Sequence, residues 1–192
     1  LRGIPGFYSD RQNHFHFVDY KSATGFLIPV KNELGQILAL QLRRDDDAKP
    51  KYLLMSSATY KDGASSGAPF HVNRYYPQKN KLFTSVIITE GILKANVIAE
   101  LARCPVAGLV ACTTFDDSFV PQLQKVFPNL EECRIAFDMD FVSNDFVKAQ
   151  RKRLAEYLSA AGLTVKLLTW DKTHKGLDDY LLASRSVSRR AA

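Results

Sequence analysis

The sequence predicts an α/β fold: a mostly parallel four-stranded sheet flanked by helices, preceded by a small, mostly antiparallel α+β subdomain. Three observations carry this. From about residue 83, short apolar runs alternate with helical patterns, the order that builds a parallel, doubly wound sheet. Residues 1–82 instead hold short alternating runs broken by turn residues, the signature of antiparallel strands. Finally, acids stand where two apolar runs give out: Glu90 after Val86-Ile87-Ile88-Thr89, and Asp138 with Asp140 after Arg134-Ile135-Ala136-Phe137. In a parallel sheet that carboxyl edge is where ligands bind.

In the first segment, residues 15–20, 25–30, 37–42 and 51–56 read as strands. Asn32-Glu33-Leu34-Gly35 reads as a hairpin turn, with Gly35 supplying the positive φ. Residues 61–69, rich in Gly, Ser and Ala and closed by Pro69, read as a loop. In the second segment, residues 85–89, 106–112, 134–137 and 164–169 read as strands. Leu93, Val97, Ile98 and Leu101 recur at helical spacing. Residues 119–126 form a helix stopped near Pro128, residues 144–161 a long helix ending at Gly162, and residues 177–183 a short one. The change of pattern falls near Pro77 to Leu82. It divides the chain into a basic, strand-rich subdomain (1–82), a domain of alternating strands and helices (83–184) and a basic tail (185–192) that is expected to fray.

Composition narrows the function. The hydrophobic fraction of 46% is that of a globular protein, not a disordered one. No apolar run reaches bilayer length and no signal peptide is seen, so a cytoplasmic protein without membrane partners is expected. A first residue that is Leu rather than Met suggests a chain cut from a longer polypeptide. The net charge of +6 fits either simple solubility or a polyanionic partner. Cys104, Cys112 and Cys133 form no CxxC pair and read as free structural thiols of a reducing compartment. His14 and His16 alternate with Phe15 and Phe17, the period of a half-exposed strand rather than a metal-binding pair.

The acids carry the chemistry. On an extended chain Asp138 and Asp140 point to one face, so both carboxylates reach a single cation while Met139 points away. Mg²⁺ takes one or two protein carboxylates and leaves its other positions to water or phosphate. Gly91 lets the backbone turn sharply after Glu90. In Lys175-Gly176-Leu177-Asp178-Asp179, one Asp either joins the same site or caps the following helix. Lys148, Arg151, Lys152 and Arg153 form a basic stretch, either a solvated face or a phosphate contact. Ser65-Ser66-Gly67 reads as a connecting loop, with a phosphate cradle as the alternative.

Glu90-Gly91, Asp138-Met139-Asp140 and Asp178-Asp179, in this order on this βα pattern, resemble the Toprim domain of bacterial-type primases, topoisomerases and some nucleases. The likeness spans about residues 85–182. Gly25-Phe26-Leu27-Ile28-Pro29-Val30, Leu42-Arg43 and Pro50-Lys51-Tyr52-Leu53 further resemble the segment before Toprim in bacterial replicative primases, which topoisomerases lack. The whole chain is most similar to the Toprim-like domains of plasmid, phage and integrative-element replication proteins. Three departures stand out: Phe141-Val142-Ser143-Asn144 where primases carry a glycine-containing segment, no paired glycines before Arg43, and Ser56-Ser57 in place of Asn-Ser.

The resemblance implies a primase-type nucleotidyltransferase that makes primers on a single-stranded DNA template from nucleoside triphosphates. It implies Mg²⁺ (or Mn²⁺) held by Glu90, Asp138 and Asp140, with Asp178 as a further acid. Arg43 and Lys51 would contact nucleotide phosphate or template, and Lys94, Lys148 and Arg151 are further candidates. Flanking helicase or template-binding domains are expected as partners. A Toprim metal-dependent nuclease and a non-catalytic nucleic-acid-binding module are the competing readings.

Overall fold

Strand pairing, not chain order alone, explains how the acids come together. The structure, a computed structural model, describes residues 1–19, 23–74 and 82–190. It divides into two units, Leu1–Pro69 and Phe70–Ala192. The expected change of pattern at 77–82 lies outside the described residues except for Leu82, as does Tyr20 at the end of one expected strand.

The first unit is antiparallel. Strands β1 (Phe7–Ser9) and β2 (Phe15–Phe17) pair with each other, and β3 (Gly25–Lys31), β4 (Ile37–Arg44) and β5 (Tyr52–Leu54) form a three-stranded sheet. The β3–β4 turn forms as its residues require. Gly35 takes φ 80 and donates its N–H to Asn32 O, while Asn32 Oδ1 accepts from the N–H groups of Leu34 and Gln36. Val18, Leu42 and Met55 make a small core here. The loop after β5 is pinned by buried Ser57, whose Oγ accepts from Ala64 N at 3.0 Å. Ser66 Oγ donates to Met55 O, so the serines of this loop serve its own backbone. His14 and His16 both face Asp10, at 3.4 and 3.0 Å.

The second unit is a five-stranded sheet in the order β10-β9-β7-β8-β6. Its strands are β6 (Phe70–Asn73), β7 (Ser85–Glu90), β8 (Val106–Leu109), β9 (Glu132–Ile135) and β10 (Thr164–Leu167). The four expected strands are mutually parallel, and β6 adds an antiparallel edge against β8. Helices α1 (Ile92–Ala102), α2 (Phe119–Val126), α3 (Asp145–Ala160) and α4 (Leu177–Arg190) cover both faces. One face packs Ile87, Val106 and Ala136 against Ala95, Ile98 and Ala99 of α1 and Leu177 of α4. The other packs Val86, Ile88 and Ile135 against Leu123 of α2 and Leu154 and Leu158 of α3. This two-faced burial is why β7 and β8 read as continuous apolar runs. No helix among the described residues is long and apolar enough to cross a membrane.

One expectation is corrected: the short helix expected over residues 177–183 continues as α4 to Arg190, into the expected tail. Ser184 and Ser186 hydroxyls donate to the Tyr180 and Leu182 carbonyls, and Arg185 Nη2 donates to Leu101 O at the end of α1.

Candidate functional site

The parallel register of β7 and β9 sets Ile88 opposite Ile135. The pairing continues past β9, with Ala136 N donating to Ile88 O at 2.8 Å and Thr89 Oγ1 to Ala136 O at 2.9 Å. Glu90 at the end of β7 and Asp138 beyond β9 therefore reach the same edge of the sheet. Gly91 takes φ 93, which turns the chain from β7 into α1 at a single residue. Lys94 in the first turn of α1 then places its ammonium on Oδ1 of Asp138, whose side chain is only 5% exposed.

Asp140 arrives by a route different from the expected one. The chain is not extended here: after Asp138 it enters a short 3₁₀ turn over Met139–Val142. Ser143 N and Asn144 N donate to Asp140 O at 3.0 and 2.8 Å. Phe141, within the turn, packs against the core, with the Arg151 guanidinium 4.0 Å from its ring centroid. Asn144 then caps α3, accepting from Phe146 N and Val147 N. The two carboxylates still converge, because Lys175 Nζ lies 3.5 Å from Asp138 Oδ2 and 3.3 Å from Asp140 Oδ2.

The loop before α4 completes the cluster. Met139 N donates to Lys175 O at 2.9 Å, which ties this loop to the Asp138 segment. The two following acids divide the alternatives between them. Asp179 Oδ2 accepts from Gly176 N at 3.3 Å and so caps α4. Asp178 turns inward instead: both its Oδ1 and Asp138 Oδ1 face the bare α-carbon of Gly176, where an added Cβ would stand 2.1 and 3.6 Å from them.

The electrostatics follow from this crowding. Burial, then the charges of Asp138 and Asp140, push the Glu90 carboxyl above the usual range, against the pull of Lys94. Burial, then Asp179, push Asp178 up as well. Burial lowers Lys175, but Asp138 and Asp140 outweigh it and hold the ammonium above the usual lysine range. Cys112, in the loop after β8, is pushed up to about 11 by burial and by the nearby charge of Glu90.

Asp140 Oδ1 and Asp178 Oδ1 are buried and accept no hydrogen bond among the described residues. Orphaned carboxylate oxygens beside further carboxylates form an all-oxygen donor set that fits a hard divalent cation. Among the described residues no three His, Cys, Asp or Glu side chains stand as a ready coordination shell. Ammonium groups stand among the acids instead: Lys94 lies on Asp138 and Lys175 bridges Asp138 and Asp140.

The expected basic residues separate. Arg43 is half-buried, its guanidinium 5.5 Å from the Phe26 ring centroid, and Lys51 is exposed. Both belong to the first unit. Lys148 is exposed on α3. Arg151, expected as a phosphate contact, is only 7% exposed. Its Nη2 donates to Leu168 O at 2.8 Å and its guanidinium covers Phe141, so its charge is engaged in the fold.

The family model described as "Domain of unknown function (DUF3854)" matches residues 78–187. The chain belongs to this family. No curated protein matches it. Its fold is that of bacterial primase catalytic cores. The Aquifex aeolicus primase, with its zinc-binding and RNA polymerase domains, aligns at TM-score 0.64 and 18% identity, covering 96% of this chain and 43% of that one. A DNA primase domain from Pseudomonas aeruginosa aligns at TM-score 0.63 and 16% identity, over 97% of this chain and 55% of that one. The RNA polymerase domain of Mycobacterium tuberculosis primase, in complex with a double-stranded DNA oligomer with an overhang, aligns at TM-score 0.60 and 13% identity, over 98% and 57%. The chain thus spans about half the length of these primase structures.

In this DUF3854 domain, sequence reasoning missed Lys175 and Cys112 as neighbours of the acids. A signal for Lys175 existed, since it directly precedes Gly176 in the third acidic cluster. Cys112 carried none: its approach to Glu90 depends on β8 lying beside β7.

Proposed function

We propose that this chain is the nucleotidyl-transfer core of a primase-type replication protein, of the Toprim class, from a plasmid, phage or integrative element. It would make primers on single-stranded DNA from nucleoside triphosphates. The observation that supports the reading is that Lys175 spans Asp138 and Asp140 while Asp178 and Asp138 both face Gly176, with Asp140 Oδ1 and Asp178 Oδ1 buried and unpartnered among the described residues. The primase-like fold supports it.

Glu90, Asp138, Asp140 and Asp178 would hold Mg²⁺ or Mn²⁺. Such an ion, when bound, lowers the pKa of an attacking 3′-hydroxyl and neutralises charge on a triphosphate. Gly91 and Gly176 keep the approach free of side-chain bulk. Lys175, two-thirds exposed at the rim, would meet an incoming phosphate. Arg43, Lys51 and Lys148 would contact nucleotide phosphate or template backbone through their charge. Helicase or template-binding domains beyond this chain would bring the template.

A template-directed assay with NTPs and Mg²⁺ or Mn²⁺ tests the reading. Primer synthesis by the wild type and its loss in Asp138→Ala/Asp140→Ala is expected. Unchanged product in the double variant would sink the mechanism. Cleavage of single-stranded DNA without nucleotides would assign the same acids to a nuclease.

A further inference from the structure

We propose that the two lysines at the acid cluster have different tasks: Lys94 is a resident cation that limits the site to one tightly bound divalent ion, and Lys175 is an exchangeable one. This rests on the reading of the acids as a metal site and goes beyond it to the number of ions held.

The argument starts from where each ammonium is anchored. Lys94 is fixed to a rigid element. It sits in the first turn of α1, which packs closely over the sheet, since a Cβ on Gly108 of β8 would stand 2.8 Å from the Ala95 Cβ. Its side chain is 29% exposed, and its partner Asp138 is 5% exposed. Its charge also acts on Glu90 and on Asp178. A cation held by covalent structure in that place opposes the binding of a second divalent ion at these acids.

Lys175 is held differently. It comes from a loop, its side chain is 66% exposed, and it spans Asp138 and Asp140 at the longer distances of 3.5 and 3.3 Å. An ion pair whose cation is this exposed, at these distances, is weak. The unpartnered oxygens belong to Asp140 and Asp178, so the vacant donor capacity is not on the carboxylate that Lys94 holds. Lys175 therefore gives up its contacts when a divalent ion is taken up, and Lys94 keeps its own. The released ammonium is then free to meet phosphate.

The test counts Mn²⁺ by electron paramagnetic resonance and calorimetry on the whole chain, without nucleotide or template. The wild type should bind one Mn²⁺ tightly. Lys94→Met should bind two. Lys175→Met should still bind one, with affinity roughly two- to fivefold higher, the effect of removing a weak exposed ion pair. Two ions on the wild type would overturn the inference while leaving the metal reading intact, and that measurement does not depend on any variant folding. One ion on folded Lys94→Met would also overturn it, as would weaker binding by Lys175→Met. No Mn²⁺ bound by any form would overturn the metal reading itself, and the inference with it.

Discussion

Gly176 and Asp178 stand so close that a Cβ added to the glycine would lie 2.1 Å from the Oδ1 of the aspartate. The clash falls on the end of a side chain rather than on backbone, and Asp178 can swing away from it. Gly176→Ala should therefore fold, with stability changed by less than about 1 kcal/mol. It should nevertheless move Asp178 out of the cluster and weaken Mn²⁺ binding. Calorimetric titration beside a thermal melt separates the two effects. A variant that melts like the wild type and binds Mn²⁺ equally well would remove Asp178 from the site.

Glu90 is destabilising when ionised. Burial, with Asp138 and Asp140 nearby, raises its folded pKa above the unfolded value, so the folded state holds the proton more tightly. For such an acid, stability falls as pH rises from the ordinary carboxylate range through the folded pKa, and stays reduced above it. Glu90→Gln should thus raise the Tm of the metal-free chain at pH 8 and leave it nearly unchanged at pH 4. A Tm at pH 8 below that of the wild type would contradict the crowding of charge at this edge.

Asp10 gives the opposite sign in the first unit. Its hydrogen bond to His16 leads the causes that hold its carboxyl down at about 2, against an ordinary value of 3.8. Its contribution is present above the ordinary value and is lost as pH falls from there toward 2. Asp10→Asn should flatten the fall of the urea midpoint between pH 5 and pH 2. Parallel curves for variant and wild type would show that the His14–Asp10–His16 contacts carry no acid-dependent stability.

The alternation of strands and helices in the second unit was legible because buried parallel strands and amphipathic helices leave different periods in sequence. The hairpin at Asn32-Glu33-Leu34-Gly35 was legible because its chemistry is local. Strand β6 was not. Its Phe-His-Val-Asn run lies on a sheet edge after a polar loop, and its first three residues are all buried, so no alternation marks it. The acids were found by their position after apolar runs, but the reason given for Asp140 was wrong, because the chain turns there, with Phe141 packed against a core that only the tertiary fold assembles. The setting of Arg151 was illegible for the same reason: its partners, Leu168 O and the Phe141 ring, are brought to it by the tertiary fold.

Arg151 and Lys148 should consequently behave as opposites. Arg151→Ala removes a hydrogen bond to a backbone carbonyl and the cover over Phe141, and should cost about 2 kcal/mol. Lys148→Ala, at an exposed position on the same helix, should stay within about 0.5 kcal/mol. Urea unfolding measures both. If Lys148 meets a phosphate backbone, its loss should also reduce the salt dependence of DNA binding, whereas wild-type stability in Arg151→Ala would return that residue to the list of possible phosphate contacts.

Cys112 reports on the charge of Glu90 without any substrate. Burial first, and then the neighbouring carboxylate, push its thiol up to about 11. At pH 8 a thiol with that value is ionised in about one molecule per thousand, and only the thiolate is alkylated at a useful rate. Cys133, buried and pushed up to about 12, should react more slowly still. Glu90→Gln removes the second cause and leaves the first, so iodoacetamide labelling of Cys112 at pH 8 should become several-fold faster but not reach the rate of a free thiol. Labelling of Cys133 should not change, which controls for loosening of the fold. Mn²⁺ should act in the same direction on the wild type, by screening the carboxylate that raises the thiol. Equal labelling rates in wild type and Glu90→Gln would show that Glu90 does not face Cys112.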